Sequence, residues 1–179
     1  PRAHNSGPRV IDFGNGETQN NVVLTTSVDG QGLASFVVFD AQGRSSGLQS
    51  PTPLPLNQWS HLAVTLLGTN ATMFLNGVPW ATGASFVPPN VRRTNNFIGR
   101  SNWSADNYEN GLINDVRIWN RALDSVTLRA WMHQSATAAH PNFANLQANW
   151  RFDEASGTSA LDSSPNGQHA TLINGPTRI

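Results

Sequence analysis

The chain has 179 residues, of which 38% are hydrophobic and 12% are charged, and its 11 Lys and Arg residues balance 11 Asp and Glu. This length suits one domain, or one domain and part of another. The balanced charge argues against a nucleic-acid partner or an anionic membrane surface, and the absence of cysteine excludes disulfides and thiolate metal sites. No stretch approaches the ~20 apolar residues of a transmembrane helix, so we expect no membrane insertion.

The first half of the chain alternates short apolar runs with turns that contain Gly, Asn or Pro, which predicts antiparallel strands. We expect strands over Arg9–Phe13, Asn21–Ser27, Leu33–Phe39 and Ser46–Ser50. The three prolines of Pro51–Leu56 exclude this segment from a central strand and predict an extended crossover.

The strongest β pattern lies in the next segment, Trp59–Leu67, where apolar side chains recur along the run. Ala71–Leu75 and Val78–Ala81 are predicted to pair as a hairpin. The connection between them is Asn76-Gly77, and this pair readily adopts the positive φ values that a tight hairpin turn requires.

The second half predicts further strands over Asn95–Ile98, Gly111–Trp119, Leu146–Asp153 and Ala170–Ile173. A short helix is expected between Asp124 and His133, because the Asp124 carboxylate can cap the first free amides. Ser101–Asn110 is predicted to be a long polar loop. Four tryptophans are expected in strand or helix cores: Trp59, Trp119, Trp131 and Trp150.

Four segments share their pattern with a known family, and they are Asn57–Thr65, Met73–Val78, Phe97–Arg100 and Gly111–Leu123. In order and spacing they resemble the signatures of laminin G-like, concanavalin A-like jelly-roll domains. The resemblance implies an all-β fold, an antiparallel β-sandwich of jelly-roll type with one short helix in the C-terminal half. It implies little about a particular activity.

The end of the chain resembles the beginning of that family. Trp150–Glu154 and Asp162–Gly167 match its opening segment, whereas two strands that normally follow have no counterpart. The predicted organisation is therefore a body over 1–134 that lacks the usual first strands, a linker over 135–145, and a segment over 146–179. This last segment is the start of a next module, the chain's own permuted strand, or a strand donated to another copy.

A calcium site is one expectation for the turn Asp162–Gly167, because its carboxylate, hydroxyl and amide groups are oxygen ligands of the kind that Ca²⁺ prefers. In similar proteins such a turn meets the acid of a late strand, so the resemblance implies a structural Ca²⁺ held by Asp162, Asn166 and Asp115. The alternative is a hydrogen-bonded Asx turn without metal. Asn114 stands where the family often has a second acid, which lowers the charge of such a site.

The loop Ser101–Asn110 holds the best set of carbohydrate-binding side chains, because aromatic faces pack on the C–H surface of a sugar ring while polar groups bond its hydroxyls. The candidate ligand-binding residues are Trp103, Tyr108, Asn102, Asp106 and Arg100. For Trp103 the alternative is a loop anchor that covers the sheet.

Motifs for catalysis are missing, since the chain has no nucleophile elbow, P-loop or His-Glu-x-x-His, and no run of carboxylates like that of the fold's glycosidases. We expect a non-enzymatic, secreted module at the cell surface or outside the cell, for carbohydrate recognition or adhesion. Its expected partner is a glycan or a cell-surface or matrix protein, with self-association or tandem modules. The alternative is a structural subunit that assembles into filaments or a sheath by exchanging terminal strands.

Overall fold

The structure, a computed structural model, describes residues 1–178. The chain divides into two compact units, one formed by Pro1–Leu112 with Leu123–Met132 and the other by Ile113–Ala122 with His133–Ile179. Strands dominate, and every described strand pair is antiparallel, which confirms the all-β prediction.

The first unit contains two sheets, one of five strands in the order β4-β3-β2-β1-β8 and one of three strands in the order β5-β6-β7. The strands are β1 Arg9–Gly14, β2 Val22–Thr25, β3 Leu33–Phe39, β4 Ser45–Pro53, β5 Leu62–Leu67, β6 Asn70–Leu75, β7 Val78–Ala84 and β8 Asn95–Ile98.

Alternate residues of these two sheets form one hydrophobic core. Its fully buried members come from β2, β3 and β6, and they are Leu24, Ala34, Phe36, Val38, Ala71 and Met73. Partly buried side chains of the other strands pack against them, among them Ile11, Val64 and Trp80. Because apolar side chains of both sheets meet in this cluster, the unit is a two-layer β-sandwich, as the sequence predicted.

The turn between β6 and β7 and the helix of this unit both follow from local sequence. Asn76 and Gly77 have φ values of 51° and 72°, which are typical of a type I′ hairpin turn. Helix α1 covers Ser125–Trp131, and the Asp124 carboxylate accepts a hydrogen bond from the backbone amide of Thr127 at 2.7 Å. The predicted hairpin and the predicted helix cap are therefore confirmed.

The second unit contains two small two-stranded sheets. Its elements are β9 Val116–Trp119, a 3-10 helix Phe143–Asn145, β10 Leu146–Trp150, β11 Ser159–Ala160 and β12 Ala170–Thr171. β10 pairs with β9 and β11 pairs with β12. In this structure the segment that resembles the family's opening thus pairs with a strand of its own chain.

Three details differ from the sequence predictions. β9 begins at Val116 rather than Gly111, because Asp115 has a φ of 56°, outside the extended region. β4 continues through Pro53 and so includes part of the predicted crossover; it is an edge strand, where a missing N–H donor is tolerated. Trp59 lies before the start of β5 and is 62% exposed, so its predicted core position was wrong.

No helix in residues 1–178 combines the length and apolar character needed to cross a membrane.

Candidate functional site

The segment Ser101–Asn110 passes over the face of the five-stranded sheet that points away from the core. The ring of Trp103 lies against that of Phe39, with centroids 5.3 Å apart. Because side chains alternate along a strand, Phe39 points to the opposite side of β3 from Val38, which belongs to the core. The segment therefore covers the outer apolar surface of the sheet.

Asp12, in the middle of β1, fixes the start of this segment. Its carboxylate accepts hydrogen bonds from the backbone amide of Asn102 at 2.8 Å and from the side-chain amide of Asn102 at 2.8 Å. Asn21 donates a third bond to the same carboxylate, also at 2.8 Å. Since Asp12 is fully buried, these donors provide the solvation that water gives elsewhere.

Asp106 is held by a second set of contacts further along the segment. Its carboxylate pairs with the Arg9 guanidinium at 2.7 Å and accepts the Ser101 hydroxyl proton at 2.7 Å. Gly7 leaves room for this arrangement, because a Cβ atom at that position would lie 2.2 Å from an Asp106 oxygen. The Arg9 guanidinium also lies over the Trp103 ring, 5.2 Å from its centroid, so one arginine holds both residues.

The two aromatic residues of the segment differ in exposure. Trp103 is half-buried between Phe39 and Arg9, which matches the loop-anchor alternative. Tyr108 is 55% exposed. Arg100 is exposed as well, and its guanidinium stacks on the Phe97 ring at 4.7 Å.

All five predicted ligand-binding residues line one surface cavity of about 200 Å³. The complete lining consists of Arg100, Ser101, Asn102, Trp103, Ser104, Asp106 and Tyr108. The cavity thus combines a cation, a carboxylate, an amide, hydroxyls and aromatic surface, which are the groups that bind sugar hydroxyls and sugar C–H faces. Ligand binding by these residues stays a prediction.

Sequence reasoning missed the residues that hold this cavity in place. Asp12 binds the loop from the sheet below it and Ser101, inside the loop, bonds Asp106; neither was among the candidates. A lone carboxylate inside the apolar strand Arg9–Phe13 was the available signal, since a buried acid requires hydrogen-bond partners. A second cavity, which no sequence pattern indicated, lies beside the Asp40–Arg44 turn.

In the second unit, Asp162 organises the turn that was predicted to bind calcium. Its carboxylate accepts bonds from the backbone amides of Asn149, Ser164 and Gln168, each at 2.8 Å, and from the Ser164 hydroxyl at 2.8 Å. Burial raises the pKa of Asp162, but these hydrogen bonds outweigh it, and the pKa lies below its ordinary value. The group is therefore an ionised Asx-turn carboxylate at neutral pH.

Asn149 connects the two carboxylates of the predicted metal set. Its backbone amide bonds Asp162, and its side-chain nitrogen donates to Asp115 at 2.7 Å. Its side-chain oxygen is buried without a hydrogen-bond partner in the described residues. Asp115 also forms an ion pair with Arg117.

Asn166, the third residue of the predicted metal set, is engaged through its nitrogen atoms. Its side-chain nitrogen donates to the carbonyls of Leu146 and Gln147, and its backbone amide donates to Ser164. Among residues 1–178 no group of three or more His, Cys, Asp or Glu side chains is placed to hold a metal. A calcium site would therefore depend on amide oxygens, and the buried Asn149 side-chain oxygen is one that lacks a donor among the described residues.

Residues 1–128 match the Laminin_G_3 family model, described as the Concanavalin A-like lectin/glucanases superfamily. No curated protein matches the chain. Among solved structures, the chain is similar to a "putative carbohydrate binding protein" from Bacteroides ovatus ATCC 8483. The TM-score is 0.61 and the identity 17%, over 92% of this chain and 53% of that one.

A second similar structure is an S-layer domain-containing protein (residues 221–444) from Clostridium thermocellum ATCC 27405. It has a TM-score of 0.37 and 23% identity, over 73% of this chain and 64% of that chain. The chain spans about half the length of the Bacteroides protein, and at this level of identity the similarity shows the fold alone.

Proposed function

The chain belongs to the Concanavalin A-like lectin/glucanases superfamily, and from this premise we propose that it is a non-enzymatic carbohydrate-recognition module. Its site is the cavity formed by Arg100, Asn102, Trp103, Asp106 and Tyr108. We place it at the cell surface or outside the cell, where a glycan or a matrix protein is its partner. The name of the Bacteroides protein agrees with this proposal.

One observation carries the proposal: an exposed tyrosine and a cation without an acidic partner lie at the same cavity. Arg100 has no ion pair with any residue of 1–178, so its guanidinium N–H groups remain available to sugar hydroxyls. The Asn102 side-chain nitrogen already bonds Asp12 and Asn95, which leaves its oxygen as an acceptor. Donor, acceptor and aromatic face are thus presented together.

Binding without hydrolysis is favoured because the cavity holds a single carboxylate. Glycoside hydrolysis ordinarily requires two carboxyl groups about 5–10 Å apart across the scissile bond. Asp106 is the one acidic residue of the lining, and Arg9 and Ser101 already engage it.

The test is a glycan array followed by titration of the best ligand. Tyr108→Ala is expected to weaken binding about tenfold, because it removes the exposed aromatic face. Trp59→Ala is the matched control, since Trp59 is exposed but does not line the cavity. Tyr108 is the single tyrosine of the chain, so a labelled-tyrosine NMR signal reports directly on the site. An array without ligands, or binding that Tyr108→Ala leaves intact, would refute the assignment.

We also propose a structural calcium in the second unit, held by Asp115, Asp162 and the side-chain oxygen of Asn149. The support is the buried Asn149 oxygen that lacks a donor among the described residues. Arg117 shares Asp115, so the ion would add to an existing ion pair rather than replace it. The ion would supply charge neutralisation and cross-linking between β9, β10 and the Asp162 turn, and no binding step requires it.

Self-assembly by strand addition is the alternative function, and β5 is the observation in its favour. This strand pairs only with β6 in the three-stranded sheet, and its sequence, Leu62–Leu67, is uncharged. Leu67 at its end and Trp59 before its start are both exposed. Such an edge is a template for another strand. Filaments in electron micrographs of the purified protein would favour this alternative, and a monodisperse monomer at high concentration would exclude it.

A further inference from the structure

A second cavity of about 270 Å³ lies where β3 meets β4 and where the chain leaves β7. It is lined by Asp40, Arg44, Phe86, Val87 and Pro89. The first two belong to the turn between β3 and β4, and the other three to the loop that precedes β8. None of these residues lines the cavity around Tyr108.

The loop side of this cavity is an apolar surface that water reaches. Phe86 is 37% exposed and Val87 is 56% exposed, and both follow directly after the end of β7. Pro89 adds a rigid ring beside them. Apolar side chains left in contact with water around a concave surface are typical of a binding surface.

The turn side of the cavity presents a guanidinium that is held at only one of its nitrogens. The Nε–H group of Arg44 donates to Asp40 at 2.7 Å, and the side chain is 73% exposed. The two terminal nitrogens make no hydrogen bond within residues 1–178. Asp40 is fixed in turn, because it also accepts the backbone amides of Gln42 and Arg44 at 2.9 Å each. Arg44 is therefore oriented by Asp40 while its fork of N–H donors stays open.

A second arginine, Arg93, lies beside the lining of this cavity. Arg93 donates to the backbone carbonyls of Asn20 and Pro89 at 2.7 and 3.1 Å, and no acidic residue among the described ones pairs with it. Arg92, its neighbour, is exposed and also lacks an acidic partner there. The acid of the adjoining turn, Glu17, accepts the backbone amide of Ser104 instead. Asp40, which pairs with Arg44, is thus the one acidic residue among those that line the cavity.

We propose that this cavity is a second carbohydrate site, selective for a carboxylated sugar of the uronic acid type. The C–H face of the sugar ring packs on Phe86, Val87 and Pro89. The sugar carboxylate accepts hydrogen bonds from the two terminal nitrogens of Arg44. A planar carboxylate matches the guanidinium fork in a way that a hydroxyl does not. Arg93 acts through position, because it anchors the Pro89 carbonyl, and it adds positive charge beside the ligand.

The size of the cavity agrees with one sugar unit. Sites for drug-sized ligands occupy about 300–1,000 Å³, so a cavity at the lower limit suits a single ring of a longer chain. Charge and apolar surface together favour an acidic sugar over a neutral one and over a small inorganic anion, which would leave the Phe86 surface unused. The proposal does not depend on the cavity around Tyr108.

The experiment is a calorimetric titration with trigalacturonate and with its fully methyl-esterified, uncharged form. We expect trigalacturonate to bind, and the ester to bind about tenfold more weakly or less, because it cannot form the charge-assisted contact with Arg44. Arg44→Gln should weaken trigalacturonate binding by a similar factor, and Phe86→Ala should weaken it as well. Arg121→Gln is the matched control, since it removes the same charge from an exposed arginine elsewhere.

Each variant is first checked for an unchanged unfolding midpoint, and the single tyrosine serves as a locator. Its NMR signal should not move when trigalacturonate binds. If the tyrosine signal moves and the Arg44→Gln variant binds trigalacturonate as well as the wild type does, trigalacturonate binds at the Tyr108 cavity. That result would overturn the proposal. If Arg44→Gln and Arg121→Gln weaken trigalacturonate binding equally, the binding is general ionic attraction rather than a specific site, and the proposal is overturned. No binding of trigalacturonate would also overturn it, without bearing on neutral glycans at the Tyr108 cavity.

Discussion

Asp12 and Asn102 are joined by two hydrogen bonds of 2.8 Å, one from the backbone amide and one from the side-chain amide of the asparagine. They are 90 residues apart in sequence, and the contact ties the middle of β1 to the loop that carries the Tyr108 cavity. The geometry of that cavity therefore depends on a buried acid that no ligand would touch.

Asp12→Asn should destabilise the protein by about 2 kcal/mol, because an amide nitrogen would replace an acceptor that faces buried donors. The measurement is the free energy of unfolding in urea. Asp29→Asn is the control, since Asp29 is exposed and accepts only the backbone amide of Gln31. Equal stability of Asp12→Asn and wild type would contradict the role given to this carboxylate.

Substitutions at Trp103 and Tyr108 should affect the stability of the protein differently, although both should weaken glycan binding. Trp103→Ala removes the contact with Phe39 and Arg9, so we expect a loss of about 1–3 kcal/mol in unfolding free energy together with weaker glycan binding. Tyr108→Ala should change stability by less than about 0.5 kcal/mol while still weakening binding. Thermal or urea unfolding of both variants decides this, and a stable Trp103→Ala protein would argue against the anchor.

His140 makes the second unit sensitive to acid. Burial and then the charge of Arg117 lower the pKa of His140 below its ordinary value, and its ring stacks on Trp119 at 4.5 Å. In the unfolded chain His140 takes up a proton near pH 6.5, whereas in the folded chain it stays neutral to a lower pH. The free energy of unfolding therefore falls as the pH falls from about 6.5 to the lower pKa of the folded state. Below that pKa, this group causes no further loss.

Urea unfolding between pH 7.5 and pH 5 measures this slope. His140→Gln should flatten it, whereas His133→Gln, at an exposed position, should leave it unchanged. A slope that survives in His140→Gln would assign the pH dependence to other groups.

Calcium should raise the melting temperature if the site of the second unit binds it. Binding at a concentration 100 times the dissociation constant would add about 2.7 kcal/mol to stability. The expected shift disappears on chelation and in Asn149→Leu, which removes the orphaned oxygen. Asn166→Ala is predicted to keep the shift. Identical melting with calcium and with chelator would establish that the Asp162 turn is held by hydrogen bonds alone.

The sequence was most informative where local patterns decide structure. The Asn76-Gly77 hairpin, the Asp124 cap and the strands of the sandwich follow from turn chemistry and apolar alternation. The grouping of Arg100 to Tyr108 at one cavity was predictable because these residues share a single loop.

Features that depend on distant contacts escaped prediction. Asp12 and Asn102 come into contact only when the loop lies on the sheet. The sequence around either residue does not indicate this contact. The exposure of Trp59 depends on which strands cover it, and a family pattern alone does not settle that. The cavity beside Arg44 joins two loops, since Arg44 and Phe86 are 42 positions apart in sequence.

The prolines of β4 have a consequence for how copies of this protein could join. β4 forms one border of the five-stranded sheet, and Pro51 and Pro53 offer no N–H groups to an incoming strand. Growth of the sheet past its last residues is therefore blocked, while β5 in the other sheet carries no proline. The edge strands β4 and β5 therefore differ in how readily each would pair with a strand of another molecule.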